Sequence, residues 1–351
     1  MKKAKATRAV PDTFLNNEHL ETKVTRAQML AANILTVSAI FGAGGNIVAG
    51  DPLAIPKALP EIAAHVINYC TPTPDEHFQP MRDKLANLRA HPEKVTVNVL
   101  DLEGRRALAE KYGLTISPEA GKTIDEIAKN KKDPHKAVAL LNELTSSEYG
   151  FKTTAHYQDP TQVSKDAART AYVLRDIPTE IVRAAQVDKL TLDTPPVLGG
   201  LRPNAAGITL RGIDTIRLEA GHPEMFTHEW AHKENAQSAA HYCLFSTIEE
   251  DPNYAAANPP HFQYGESSAS RKIVPTAYAG RGGVEEDYAD MWKKVLDAPN
   301  NPSDCLYGRS PVIDEKIAVL LTRMEDEVPG AGGYLAEVLI GANDRGLCDI
   351  K

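Results

Sequence analysis

The segment HEWAH at residues 228–232 narrows what this chain can be more than any other feature. Residues four apart on a helix lie nearly one above the other, so His228 and His232 project toward one point if this stretch is helical. The flanks favour a helix. No glycine or proline interrupts residues 224–240, and Met225, Phe226 and Trp230 supply apolar contacts. Two neutral imidazoles suit a zinc ion, and Glu229 points to the side where an activated water would stand, as a general base.

A second acidic motif follows after an intervening stretch. GGVEEDYADMW (282–292) carries Glu286 and Asp290 four residues apart, hence on one helical face, while Val284, Tyr288, Met291 and Val295 form an apolar stripe. Acidic residues in a first helical turn often serve only the helix dipole. Coupled to HEWAH, however, Glu286 is expected to complete a His₂Glu site for one zinc ion per chain, leaving a fourth position open to water. Asp290, one turn on, is expected to accept a hydrogen bond from the free ring nitrogen of a ligand histidine. Neighbours on a helix point about 100° apart, so Glu285 and Glu286 cannot both face the metal.

HEWAH followed by EEDYAD resembles the gluzincin branch of the zincin metallopeptidases. Thermolysin-like enzymes follow H-E-x-x-H with N-E-x-x-S-D, which this chain matches at Glu286 and Asp290, with Ala289 for the serine and Glu285 for the asparagine. The stretch YAGRGGVEEDYADMW is closer to the tyrosine-then-E-D-F-A-E pattern of peptidases similar to the anthrax lethal factor catalytic domain. The resemblance covers about residues 178–295. It implies a zinc metallopeptidase, an endopeptidase with Glu229 as general base and Glu286 as third ligand. It also implies Tyr278, eight residues before Glu286, as a hydrogen-bond donor to the transition state.

Other histidines fit less well. His222 lies six residues before His228 and cannot share its helical face. His241 falls outside an extended three-histidine motif, because Asn235 and Ser238 stand at the expected Gly and His positions. His261 and Tyr264, in the long stretch between the motifs, are candidates for lining a substrate cleft. Histidines 19, 65, 77, 91, 135 and 156 are scattered and expected to be satisfied or exposed.

With 351 residues the chain has room for two domains or one enlarged domain. The order of elements predicts an α+β fold: a mainly helical first half, then a small sheet, the HExxH helix, a long loop and a second helix. Helical faces are read at Ile62, His65, Val66 and Tyr69 and at Ala137, Leu140, Leu141 and Leu144, and VTVNVLDL (95–102) reads as a strand. Three units are expected: residues 1–50 a tail with a weakly apolar segment, 51–160 a helical domain, and 161–351 the zincin-like domain.

The net charge of -8 argues against a general nucleic-acid binder. Residues 27–50 are uncharged but diluted by polar residues and glycines. They are too weakly apolar for a stable membrane span and only faintly like an export signal, which leaves secreted and cytoplasmic locations both open. The four cysteines form no CxxC pair, though Cys305 and Cys348 are placed to pair in an oxidising compartment. The expected partner is a protein or peptide substrate. A zinc hydrolase of a non-peptide amide, or a non-catalytic interaction protein on the same fold, are the alternatives.

Overall fold

A computed structural model describes residues 73–157, 159–194, 206–210, 215–242, 251–265, 272–302, 304 and 306–345; the side chains of 193, 194, 210, 236–242, 344 and 345 fall outside that set. The expectations for residues 27–50, for the helical face at 62–69 and for all four cysteines lie outside the described residues.

The fold is α+β, as the order of elements predicts. Among the described residues four α-helices come first: α1 (Gln79–Ala90), α2 (Leu102–Lys111), α3 (Pro118–Lys129) and α4 (Pro134–Leu144). Strand β1 (Lys152–Ala155) leads into α5 (Pro160–Arg175) and α6 (Thr179–Ala184), which return the chain to β2 (Lys189–Thr194). Then come β3 (Gly207–Leu210) and β4 (Thr215–Glu219). The sheet order is β1-β2-β4-β3, with β1, β2 and β4 parallel and β3 antiparallel at the edge. The sheet leads into α7 (Phe226–Tyr242), followed by α8 (Pro252–Ala256), α9 (Ala277–Gly282), α10 (Val284–Leu296), α11 (Pro311–Glu327) and α12 (Ala331–Arg345).

Local chemistry sets the helix starts. Asp101, Ser117, Asp133 and Asp159 each accept a backbone N–H at the head of α2, α3, α4 and α5, and proline occupies the first turn of the last three. Helix α5 buries Val163, Ala167, Ala171 and Leu174, a spacing that fits one face of a 3.6-residue repeat. Asp166 on the same helix accepts from Gln162 Nε2 (2.7 Å) and from the backbone N–H of Gly221 (2.8 Å). That second bond pins the turn that launches α7.

One expectation is corrected. The stretch 95–102 is not a strand. Val95 and Val99 are buried, but they dip into the core from an irregular segment, and no strand pairs with it among the described residues. Its backbone is satisfied otherwise: Arg105 Nη1 donates to the Val99 carbonyl (2.9 Å), and Asp101 begins α2. Residues 62–351 group as one compact unit. Helix α1 is tied to α11 by Arg82 and Glu315 (2.8 Å), and α2 to α12 by Lys111 and Glu337 (2.8 Å). A single hydrophobic core runs from Phe78 to Ala342.

Candidate metal centre

Helices α7 and α10 pack against each other and bring both motifs to one place. Their contact is fixed by large buried groups. Trp230 and Trp292 meet edge to face at 5.6 Å, the Trp230 indole donates to the Val182 carbonyl (3.0 Å), and the Tyr288 hydroxyl donates to buried Glu234 (2.7 Å).

His228, His232 and Glu286 form the one group of metal-competent ligands found among the described residues. His228 Nε2 lies 3.1 Å from Glu286 Oε2 and 3.2 Å from His232 Nε2, and His232 Nε2 lies 3.5 Å from Glu286 Oε2. Donors held at about 2.0–2.1 Å from a tetrahedral zinc ion stand about 3.3–3.4 Å apart, so the three atoms have the spacing of one face of such a site. The donor set agrees. On its other side, His228 Nδ1 donates to Asp290 Oδ1 (2.9 Å), so a cation that displaces the Nε2 proton would meet that nitrogen's lone pair beside the other two ligand atoms. A divalent cation fits these residues.

Asp290 is held in turn by Thr276. The Thr276 hydroxyl donates to Asp290 Oδ2 and accepts the backbone N–H of Ala279 (3.1 Å), so one side chain both steadies Asp290 and caps α9. Helix α9 carries Tyr278, whose ring centroid is 6.1 Å from that of His228 and which is 46% exposed.

Glu229 is buried against the edge strand β3. Thr209 Oγ1 on β3 lies 2.8 Å from Glu229 Oε2 and 2.8 Å from the Glu229 carbonyl, so its single proton serves one or the other. Close approach is possible because residue 207 is glycine: a Cβ there would stand 2.7 Å from Glu229 Cγ and Oε1. Gly282 plays the same part for Glu286, since a Cβ there would stand 2.3 Å from Glu286 Cγ.

The electrostatics follow from burial and pairing. Burial pushes the Glu229 carboxyl above the ordinary carboxylate range, against the pull of the two histidines and Thr209. For His228 burial opposes the charged form, but hydrogen bonds to Asp290 and Glu286 outweigh it and push the ring up to about 9. For Glu286 burial likewise opposes charge, and hydrogen bonds from His228 and His232 win, holding it well below the ordinary range.

The structure thus brings together His228, Glu229, His232, Glu286 and Asp290. Glu285 is only partly buried on a neighbouring face of α10. Three other candidates lie elsewhere. His222 is exposed beside Glu224 (3.2 Å), His261 is exposed, and the Tyr264 hydroxyl donates to Asp287 (2.6 Å) behind α10. The His241 side chain lies outside the described residues. Sequence reading missed Thr209, Thr276 and Gly207. Only the GG pair before VEED offered a local signal, for Gly282.

No protein-family model matches the chain, and neither a curated protein nor a solved structure does.

Proposed function

We propose that this chain is a zinc-dependent metallopeptidase of the gluzincin type. The observation that carries the reading is the convergence of His228 Nε2, His232 Nε2 and Glu286 Oε2 within 3.1–3.5 Å, beside a buried carboxylate, Glu229, on the same helix as the two histidines. Two imidazoles and one carboxylate favour zinc, with one ion per chain.

When bound, zinc supplies a Lewis acid that polarises the scissile carbonyl and acidifies the attacking water. His228 is locked in the required tautomer by Asp290, so its Nε2 stays a ligand. Glu229, its carboxylate oriented by Thr209, takes the proton of the attacking water and passes it to the leaving amine. A water-poor setting raises its basicity, in line with its burial. Tyr278 donates a hydrogen bond to the oxyanion that develops on the carbonyl. Strand β3 has no strand beyond it among the described residues. Its outer edge, next to Glu229, suits an extended peptide added as a further strand.

The test joins metal content to cleavage. The purified chain should hold about one zinc, removable by a chelator, and should cleave members of a mixed peptide library. Glu229→Gln should keep the zinc and lose hydrolysis by about 10²–10⁴-fold. Zinc stoichiometry near zero after reconstitution would remove the metal site. Tight zinc with no cleavage of any library member would favour the non-catalytic interaction protein.

A further inference from the structure

Away from the metal cluster, and sharing no residue with it, a groove of 480 Å³ opens where three helix ends meet. Ile127, Pro134, Pro160 and Ala168 make its apolar floor, and Lys131, Lys132 and Lys165 stand around it. Ile127 is buried and Ala168 half-buried, while all three lysines are exposed. Small side chains, Ala128, Ser164 and Ala168, keep it open.

The charge around this groove is not neutralised from within. None of the three lysines makes a hydrogen bond or ion pair among the described residues, although acidic residues are close in sequence. Those acids stand outside the lining, and their hydrogen bonds and ion pairs run to other groups. Asp133 caps α4 through Lys136 N (3.0 Å), Asp159 caps α5 through Thr161 N (3.0 Å) and Gln162 N (3.1 Å), and Glu126 pairs with Lys129 (2.6 Å). In a chain of net charge -8, the lining of this groove carries three ammonium groups and no carboxylate.

We propose that this groove docks an acidic segment of a partner protein, with one apolar side chain seated on the floor and carboxylates facing the lysines. The floor decides the class of ligand. It has no aromatic side chain on which a base would stack, and it has no arginine for bidentate phosphate binding, so a nucleic acid finds neither of its usual anchors. Two prolines in the lining offer no backbone N–H, so recognition falls to apolar contact and charge. A peptide carrying both apolar and acidic side chains meets both demands. That the partner is a substrate, recognised at a distance from the bond cut, rests on the peptidase reading; the docking itself does not.

Fluorescence anisotropy on the full chain tests the proposal with two labelled dodecapeptides of one apolar frame, bearing glutamate or glutamine at every polar position. The glutamate peptide should bind saturably and at least tenfold more tightly than its glutamine twin, and more weakly as salt rises. Reversing charge in the triple variant Lys131→Glu, Lys132→Glu, Lys165→Glu should weaken it at least tenfold. Thr161→Trp, at an exposed lining position, keeps the lysines and obstructs the groove, and it should weaken binding as much. Equal binding of the two peptides, or undiminished binding by the triple variant, overturns the proposal. Undiminished binding by the Thr161→Trp protein would reduce the lysines to a diffuse patch and also overturn it. Tighter binding of a single-stranded oligonucleotide than of the glutamate peptide would replace it with a nucleic-acid surface. Docking without any cleavage activity would remove the peptidase reading and leave the groove; cleavage without docking would do the reverse.

Discussion

On neighbouring faces of helix α10, Asp287 is buried against a lysine, and Glu286 and Asp290 are buried against two histidines. Asp287 Oδ2 meets Lys316 Nζ (2.5 Å), and the Tyr254 (3.1 Å) and Tyr264 (2.6 Å) hydroxyls also reach its carboxylate. Both charged side chains are fully buried. Burial pushes Asp287 up and Lys316 down, and each opposes the other's shift. This face closes its own charge account with donors from the chain. On the Glu286 face a carboxylate and two imidazole nitrogens converge instead, and the His228 proton that meets the Glu286 charge there is one that a divalent cation would displace. Adjacent residues on one helix thus separate a structural ion pair from the cluster that the proposed zinc site would use.

The largest effects come from removing either neighbour, and they should fall on different observables. Asp287→Ala leaves Lys316 buried without its counter-ion and should cost about 3–5 kcal/mol in urea unfolding. Replacing both, as Asp287→Ala with Lys316→Met, should recover much of that loss. Glu286→Ala should weaken zinc by more than the roughly 100-fold expected of an outer partner. Glu285→Ala should leave zinc content unchanged. If Glu285→Ala is the one that loses zinc, α10 is rotated from its orientation here and the gluzincin reading of this segment falls.

That contrast was half visible in the sequence. Periodicity placed Glu286 and Asp290 on one face and named the apolar stripe, and α7 and α10 begin and end within a few residues of where the motifs put them. Periodicity says nothing about a partner 29 residues away, so Lys316, and with it the role of Asp287, was invisible. Thr209 was hidden for the same reason, 20 residues from Glu229 on a strand whose edge position only the assembled sheet defines. Residues 95–102 failed differently. Alternating valines report alternating burial, and a strand also needs a neighbouring backbone, which the pattern does not carry.

A smaller effect is expected at Tyr278, which the resemblance supplied and the geometry keeps within reach of the cluster. Tyr278→Phe should lower kcat by about 10²-fold or somewhat less, because nearly half of the side chain is open to water and an exposed donor is worth less than a buried one. KM should hardly move, since an oxyanion contact forms in the transition state. A change confined to KM would make Tyr278 a substrate contact instead.

Asp290→Asn comes next. It keeps the shape of the side chain but loses the charge that orients His228, and zinc affinity should fall about 10–100-fold in competition with a chromophoric chelator. Zinc affinity equal to that of the unmodified chain would show that His228 is oriented by packing alone.

The smallest effect should come from Thr276, and it probes how far the metal face extends. Its hydroxyl lies two bonds of the network away from His228: Thr276 to Asp290, then Asp290 to His228. A neutral hydrogen bond to a buried group is worth about 0.5–1.5 kcal/mol net, so Thr276→Val should weaken zinc by about two- to twelvefold, less than Asp290→Asn. The same hydroxyl caps α9, so the valine should also loosen that helix and lower kcat through Tyr278. Thr276→Ser restores the hydroxyl without the methyl and should return both quantities toward those of the unmodified chain. Two results would break the link: zinc affinity unmoved by the valine, or serine failing to rescue it. In the first case the network ends at Asp290. In the second the methyl group, and not the hydroxyl, positions this face of the site. Combining Thr276→Val with Asp290→Asn adds a stricter check, since residues acting through one hydrogen bond should give a combined loss smaller than the sum of the two.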